Sequence, residues 1–123
     1  MRRLLCIAGA LLLLLGSCAK SPERNLRLSN PSNESQISEI NLRLDGQSLT
    51  GRSTLTLGPL GQREYRKLQV SWGNLHLRYR YADAATTAEF TTNLATQLGA
   101  EYSGTIEIAI LSSSDVEIRK VDE

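Results

Sequence analysis

Four basic side chains between positions 67 and 80 carry the strongest chemical signal in this 123-residue sequence: Lys67, His76, Arg78 and Arg80. Side chains of these types bind anionic groups. The sequence predicts a β-hairpin here, and because side chains of a strand point alternately to its two sides, all four would lie on one polar face. Lys67 would then lie opposite Arg80, and such a like-charge pair is destabilising unless an anion or an acidic neighbour offsets it. The sequence therefore predicts an anion-binding or partner-binding face.

Two interpretations of this basic face remain open. An anionic partner would be a lipid headgroup, an acidic glycan or an acidic surface of another protein. Alternatively, Glu107, Glu117 or acids of another strand complete a mixed, solvated face that binds nothing.

Catalysis and metal binding find little support in the residue types. His76 is the single histidine, and a general base needs an orienting partner and a substrate cleft. Neither is evident, so we expect His76 to be an exposed strand residue. One histidine, without a thiolate or a calcium-loop pattern, does not make a metal site. Asp45, Asp83 and Asp115 are better explained as residues that form turns. We expect a non-catalytic protein without metal or cofactor.

The N-terminus has the organisation of an export signal. Arg2 and Arg3 precede a continuous apolar run, residues 4–15, which is too short to span a bilayer comfortably. The run leads into Leu15-Gly16-Ser17-Cys18. This segment resembles the lipobox of bacterial lipoprotein precursors.

The resemblance implies how the chain is processed and where it resides. Cleavage would fall between Ser17 and Cys18, and Cys18 would carry the acyl chains, palmitate among them. Two or more acyl chains anchor a protein stably to a membrane. Ala19 after the cysteine would direct the protein to the outer membrane, on its periplasmic or external side, if the host is Gram-negative. Cys6 would leave with the signal peptide, and no disulfide would remain.

The rest of the chain divides into a tether and one domain. We expect residues 1–17 to be removed, residues 18–25 to form the lipidated tether, and residues 26–123 to fold. The whole chain has 14 basic and 13 acidic residues, and loss of Arg2 and Arg3 leaves the remainder slightly acidic. This balance gives no general attraction to nucleic acid.

Alternating apolar residues between turn signals predict β structure. Examples are Ile40, Leu42 and Leu44, and later Ile106, Ile108 and Ile110. The sequence predicts a small antiparallel β-sandwich of six to seven strands. Strands 67–72 and 75–81 would pair across a Gly73-Asn74 turn. Trp72, Tyr79 and Tyr81 would pack in the core of this hairpin rather than form a sugar-binding platform, leaving Tyr65 as the exposed ring.

Residues 86–98 break the alternation. Phe90, Leu94 and Leu98 recur at helical spacing, with a capping signal at Thr86 and Gly99 at the end. The threonines of this segment favour extended structure instead. We expect a short helix, with a strand as the alternative.

Three segments resemble immunoglobulin-like or transthyretin-like sandwiches. They are residues 25–30, residues 40–46 and residues 55–60, each a short strand beside turn residues. The resemblance implies a fold and no function. Together with the lipobox, it leads us to expect a membrane-anchored envelope protein whose sandwich binds another envelope protein. The alternative is an anionic ligand bound on the basic face.

Overall fold

The computed structural model describes residues 23–121, which form nine strands and one short helix. The predicted signal peptide, cleavage site and lipidated Cys18 lie outside the described residues. In chain order the elements are β1 (Arg24–Ser29), β2 (Ile37–Leu44), β3 (Gln47–Ser48), β4 (Leu55–Leu57), β5 (Gln62–Tyr65), β6 (Asn74–Tyr81), β7 (Ala88–Asn93), α1 (Leu94–Leu98), β8 (Gly104–Ser112) and β9 (Asp115–Val121). Strand β1 begins at Arg24, two residues before the start expected for the domain at residue 26.

The strands form two sheets. The first sheet has the order β9-β8-β1-β5, and the second has the order β3-β2-β6-β7, with β4 also paired to β2. The predicted all-β sandwich is confirmed. The expected six to seven strands were too few for the described part, and one pair departs from the antiparallel pattern: β1 runs parallel to β8, with Leu26 beside Ile106.

The core contains one face of each sheet. Leu26, Leu28, Ile106, Ile108 and Ile110 come from the first sheet, and the second supplies a matching set from β2 and β6. Strand side chains alternate between faces, so these residues point inward while their neighbours face solvent. Trp72 and Tyr79 are both 1% exposed, which confirms their predicted core packing, and Tyr81 packs against this core. Tyr65 is half-buried rather than an exposed ring.

The predicted hairpin about Gly73-Asn74 was wrong. Strand β6 does begin at Asn74, but its neighbours are β2 and β7. Residues 66–73 leave the sheet, and the Leu68 amide donates a hydrogen bond to the Arg24 carbonyl of the first sheet (2.8 Å). Trp72 is buried from this loop, where its Nε1 donates to the Tyr102 carbonyl at 2.7 Å. Trp72 is therefore buried by tertiary packing of a loop and not by its position in a strand.

Both interpretations of residues 86–98 were partly correct. The threonine-rich half forms strand β7, and Leu94–Leu98 forms the helix. The helix starts where the Asn93 side chain accepts a hydrogen bond from the Thr96 amide (2.9 Å) and ends at Gly99, at φ 91°. The helical start therefore lies at Asn93 rather than at Thr86.

Candidate functional site

Three of the four predicted basic residues share the outer face of the second sheet. His76, Arg78 and Arg80 alternate along β6 with buried residues, as the sequence predicted. His76 Nε2 lies 3.2 Å from Glu89 Oε1. Arg80 Nε donates to Glu39 Oε2 at 2.6 Å, and Arg80 Nη1 donates to the Ala84 carbonyl at 2.8 Å. Two of the three basic side chains therefore have acidic partners.

Lys67 lies away from this face. It belongs to the loop after β5, and its amide donates to Asn25 Oδ1 at 2.8 Å, at the start of the first sheet. Its backbone has a φ of 54°, a conformation that non-glycine residues seldom adopt. The predicted opposition of Lys67 and Arg80 was wrong, since Arg80 pairs with Ser38 of β2. The expected basic stripe therefore lacks Lys67 and contains only His76, Arg78 and Arg80.

The acids that balance the β6 face come from neighbouring strands. Glu89 lies on β7 beside Arg78, and Glu39 lies on a bulge of β2. The candidates expected for this role, Glu107 and Glu117, lie instead on the first sheet. Glu39 and Glu89 are too far from β6 in sequence to be recognised without the strand order. The outer face of the second sheet is therefore a mixed, solvated face, on which Glu39 and Glu89 lie among the basic side chains.

The outer face of the first sheet carries a charge ladder. Adjacent strands place Arg119, Glu107, Arg27 and Glu64 side by side. Arg119 lies 3.7 Å from Glu107, and Arg27 Nε donates to Glu64 Oε2 at 3.0 Å. The hydrogen bond from Arg27 lowers the pKa of Glu64, and the nearby Arg66 acts in the same direction. Alternating charges at this spacing stabilise cross-strand pairs and leave little net charge.

The described residues hold no arrangement with clear catalytic chemistry. No group of three or more histidine, cysteine or carboxylate side chains within 23–121 has metal-binding geometry. The His76–Glu89 pair lies on a sheet face, with 39% of the His76 side chain and 59% of the Glu89 side chain exposed, and such a face excludes no water from a substrate. Between Glu23 and Val121 no helix is long and apolar enough to cross a bilayer.

Strand edges differ sharply in how well they are protected. The outer edge of β7 pairs with no strand in the described part of the chain, and this six-residue strand has one charged residue, Glu89. Strand β9, the long edge of the other sheet, has four charges among seven residues. The remaining edge strands have two to four residues. Charges and shortness discourage pairing with another chain, so β7 is the least protected edge.

No protein-family model matches this chain, and a search of curated proteins finds no match. Among solved structures, the chain is similar to the NMR structure of a protein from Eubacterium rectale, with 15% sequence identity and a TM-score of 0.45. The match covers 88% of this chain and 97% of the other.

Proposed function

We propose that this protein is a lipid-anchored envelope lipoprotein that acts as a non-catalytic accessory subunit. A segment of a protein partner would add to the edge of β7. The single observation that supports the binding mode is the β7 edge itself: six residues long, lacking proline and lysine, and carrying one charge. The anchor rests on the lipobox at residues 15–18. An extended segment joining such an edge gains main-chain hydrogen bonds along its length.

The side chains of β7 specify what kind of segment would fit. Ala88 and Phe90 pair in register with buried Tyr79 and Leu77, so they face the core and are themselves half-buried. Glu89 and Thr91 face outward. A matching partner strand alternates apolar residues, which cover Phe90, with polar or basic residues that lie near Glu89. The partner is therefore an extended, alternating segment of another envelope protein.

Site-specific photocrosslinking in intact cells tests the binding mode. A photoreactive amino acid at Thr91 should capture one dominant envelope protein, while the same group at Glu117 on β9 should not. Thr91→Lys should abolish copurification of that partner, because an edge lysine opposes strand addition. Thr56→Lys, on the short strand β4, is the matched control and should leave copurification of the partner unchanged. Equal capture from both positions, or capture unaffected by Thr91→Lys, would refute the β7 proposal.

The anchor is tested independently by the intact mass of the processed chain. We expect a mature protein that starts at acylated Cys18 and partitions with membranes, and a Cys18→Ser variant that is neither cleaved nor acylated. An unmodified Cys18 in the membrane fraction would refute the lipoprotein proposal and leave the β7 proposal standing.

A further inference from the structure

A small cleft opens at the side of the sandwich, between the edges of the two sheets. Its volume is about 230 Å³. Arg63 and Tyr65 of β5 form the wall from the first sheet. The connection between β3 and β4 forms the wall from the second sheet, and Leu55 at the start of β4 contributes to its apolar part. The cleft is smaller than typical pockets for drug-sized molecules, so its capacity is one small group.

Arg63 is directed to this cleft by the register of β5. It pairs with Leu28, which is fully buried, so Arg63 lies on the side of β5 that faces the second sheet. Because β5 is an edge strand, Arg63 is nevertheless exposed to solvent. The carbon of its guanidinium group lies 5.7 Å from the centre of the Tyr65 ring. Such stacking holds the planar fork in place. Arg63 forms no ion pair with any residue from 23 to 121.

The opposite wall supplies hydroxyl groups. Thr50 Oγ1 accepts a hydrogen bond from the Leu42 amide at 3.3 Å, which leaves its own proton available. Ser53 and Thr54 also line the cleft, and their side chains form no hydrogen bond with the described residues. Burial raises the pKa of Tyr65 and the nearby Arg63 opposes that shift, so the phenol stays protonated at neutral pH. No carboxylate is among the residues that line this cleft.

We propose that this cleft binds a small organic oxyanion, a carboxylate or a phosphate monoester carried on a body no larger than one sugar ring. The planar guanidinium of Arg63 would bind two oxygens of such a group. Hydroxyls of Thr50, Ser53 and Thr54 would donate to the remaining oxygens, and Leu55 would contact the apolar side of the ligand. This site is distinct from the β7 edge and does not depend on partner binding there.

Calorimetric titration of the mature protein in nanodiscs tests the proposal. The probes are glucuronate for the carboxylate, glucose 6-phosphate for the phosphate monoester, and glucose as the neutral control. We expect one or both anions to bind more tightly than glucose, and comparison of the two anions identifies the preferred group. Arg63→Gln should weaken anion binding about 10- to 100-fold, the loss expected for charged hydrogen bonds.

Matched variants separate binding from folding. Arg43→Gln removes another exposed arginine, one that forms no ion pair with the described residues, and should leave the affinity unchanged. Thr54→Val should weaken binding without altering the charge, and thermal unfolding of each variant verifies the fold. If neither anion binds at millimolar concentration, or if Arg63→Gln binds as tightly as the unaltered protein, the proposal is wrong. Arg63 would then serve only to protect the β5 edge with an inward-pointing charge.

Discussion

Replacement of Asn30 by alanine should strongly destabilise this protein, because the Asn30 side chain links two loops through hydrogen bonds. Asn30 follows β1 and is 1% exposed. Its Nδ2 donates to the carbonyls of Ser35 at 2.7 Å and Gly58 at 2.9 Å, and its Oδ1 accepts from the Ser32 amide at 3.2 Å. One side chain thus joins the loop after β1 to the loop after β4.

The expected loss follows from these contacts. Asn30→Ala removes these three hydrogen bonds, together with a longer one to the Leu57 carbonyl (3.4 Å), and leaves partly buried partners unpaired. At about 1 kcal/mol for each bond, the free energy of unfolding falls by roughly 3 kcal/mol. Domains of this size are stable by about 5–15 kcal/mol. The melting temperature should therefore fall by roughly 12–24 °C.

Urea and thermal unfolding followed by far-UV circular dichroism and Trp72 fluorescence measure this loss. Asn33→Ala is the matched control, since Asn33 is an exposed asparagine of the same loop. It should change the stability by less than about 0.5 kcal/mol. If Asn30→Ala also stays within about 0.5 kcal/mol of the unaltered protein, the hydrogen bonds of Asn30 do not hold the two loops together.

Three further substitutions test the charge ladder, the core and a turn. The hydrogen bond from Arg27 lowers the pKa of Glu64, so its stabilisation is present above pH 4.5 and is lost as the pH falls through the lowered pKa. Glu64→Gln should therefore be less stable in urea at neutral pH, and this deficit should shrink as the pH falls below 4.5. A deficit that does not change with pH would contradict this. Burial raises the pKa of Tyr79, so the stability it confers is present below about pH 10 and is lost as the pH rises through the raised pKa. The Tyr79 hydroxyl donates a hydrogen bond to the Ser112 carbonyl at 2.7 Å, so Tyr79→Phe should lose about 1 kcal/mol of unfolding free energy at pH 8. The stability of Tyr79→Phe should then decline less steeply as the pH rises above 10, and parallel declines of the two proteins in urea titrations would contradict this. A Cβ on Gly61 would lie 2.9 Å from the Gly58 carbonyl oxygen, so Gly61→Ala should cost about 1–3 kcal/mol of unfolding free energy in urea. Gly58→Ala, where a Cβ meets open space, should be near neutral, and equal effects of the two would contradict the turn geometry.

Charge pairing on the second sheet shows why the candidate site could be predicted only in part. The alternation of β6 correctly placed His76, Arg78 and Arg80 on one face, because successive side chains of any strand point to opposite sides. The acids that neutralise this face, Glu39 and Glu89, come from strands on either side. Their approach depends on strand order, which no local pattern contains.

The cleft at Arg63 was outside the reach of sequence analysis for a similar reason. Arg63 and Tyr65 lie in β5, a strand of four residues without apolar alternation, which the sequence did not indicate. The hydroxyl wall comes from another sheet, and the two walls meet only when the sandwich closes.

The sequence by itself determined the all-β class and the inward faces of the long strands. Leu75, Leu77 and Tyr79 are buried as their alternation predicted, because that pattern depends only on local backbone geometry. Tertiary structure determined which strands are neighbours: it joined β1 to β8 in parallel across 74 intervening residues and removed residues 66–73 from the sheet. Pairing between distant strands depends on how the two sheets bury a common core, which no local pattern specifies. Trp72 is buried in that core although it lies in a loop.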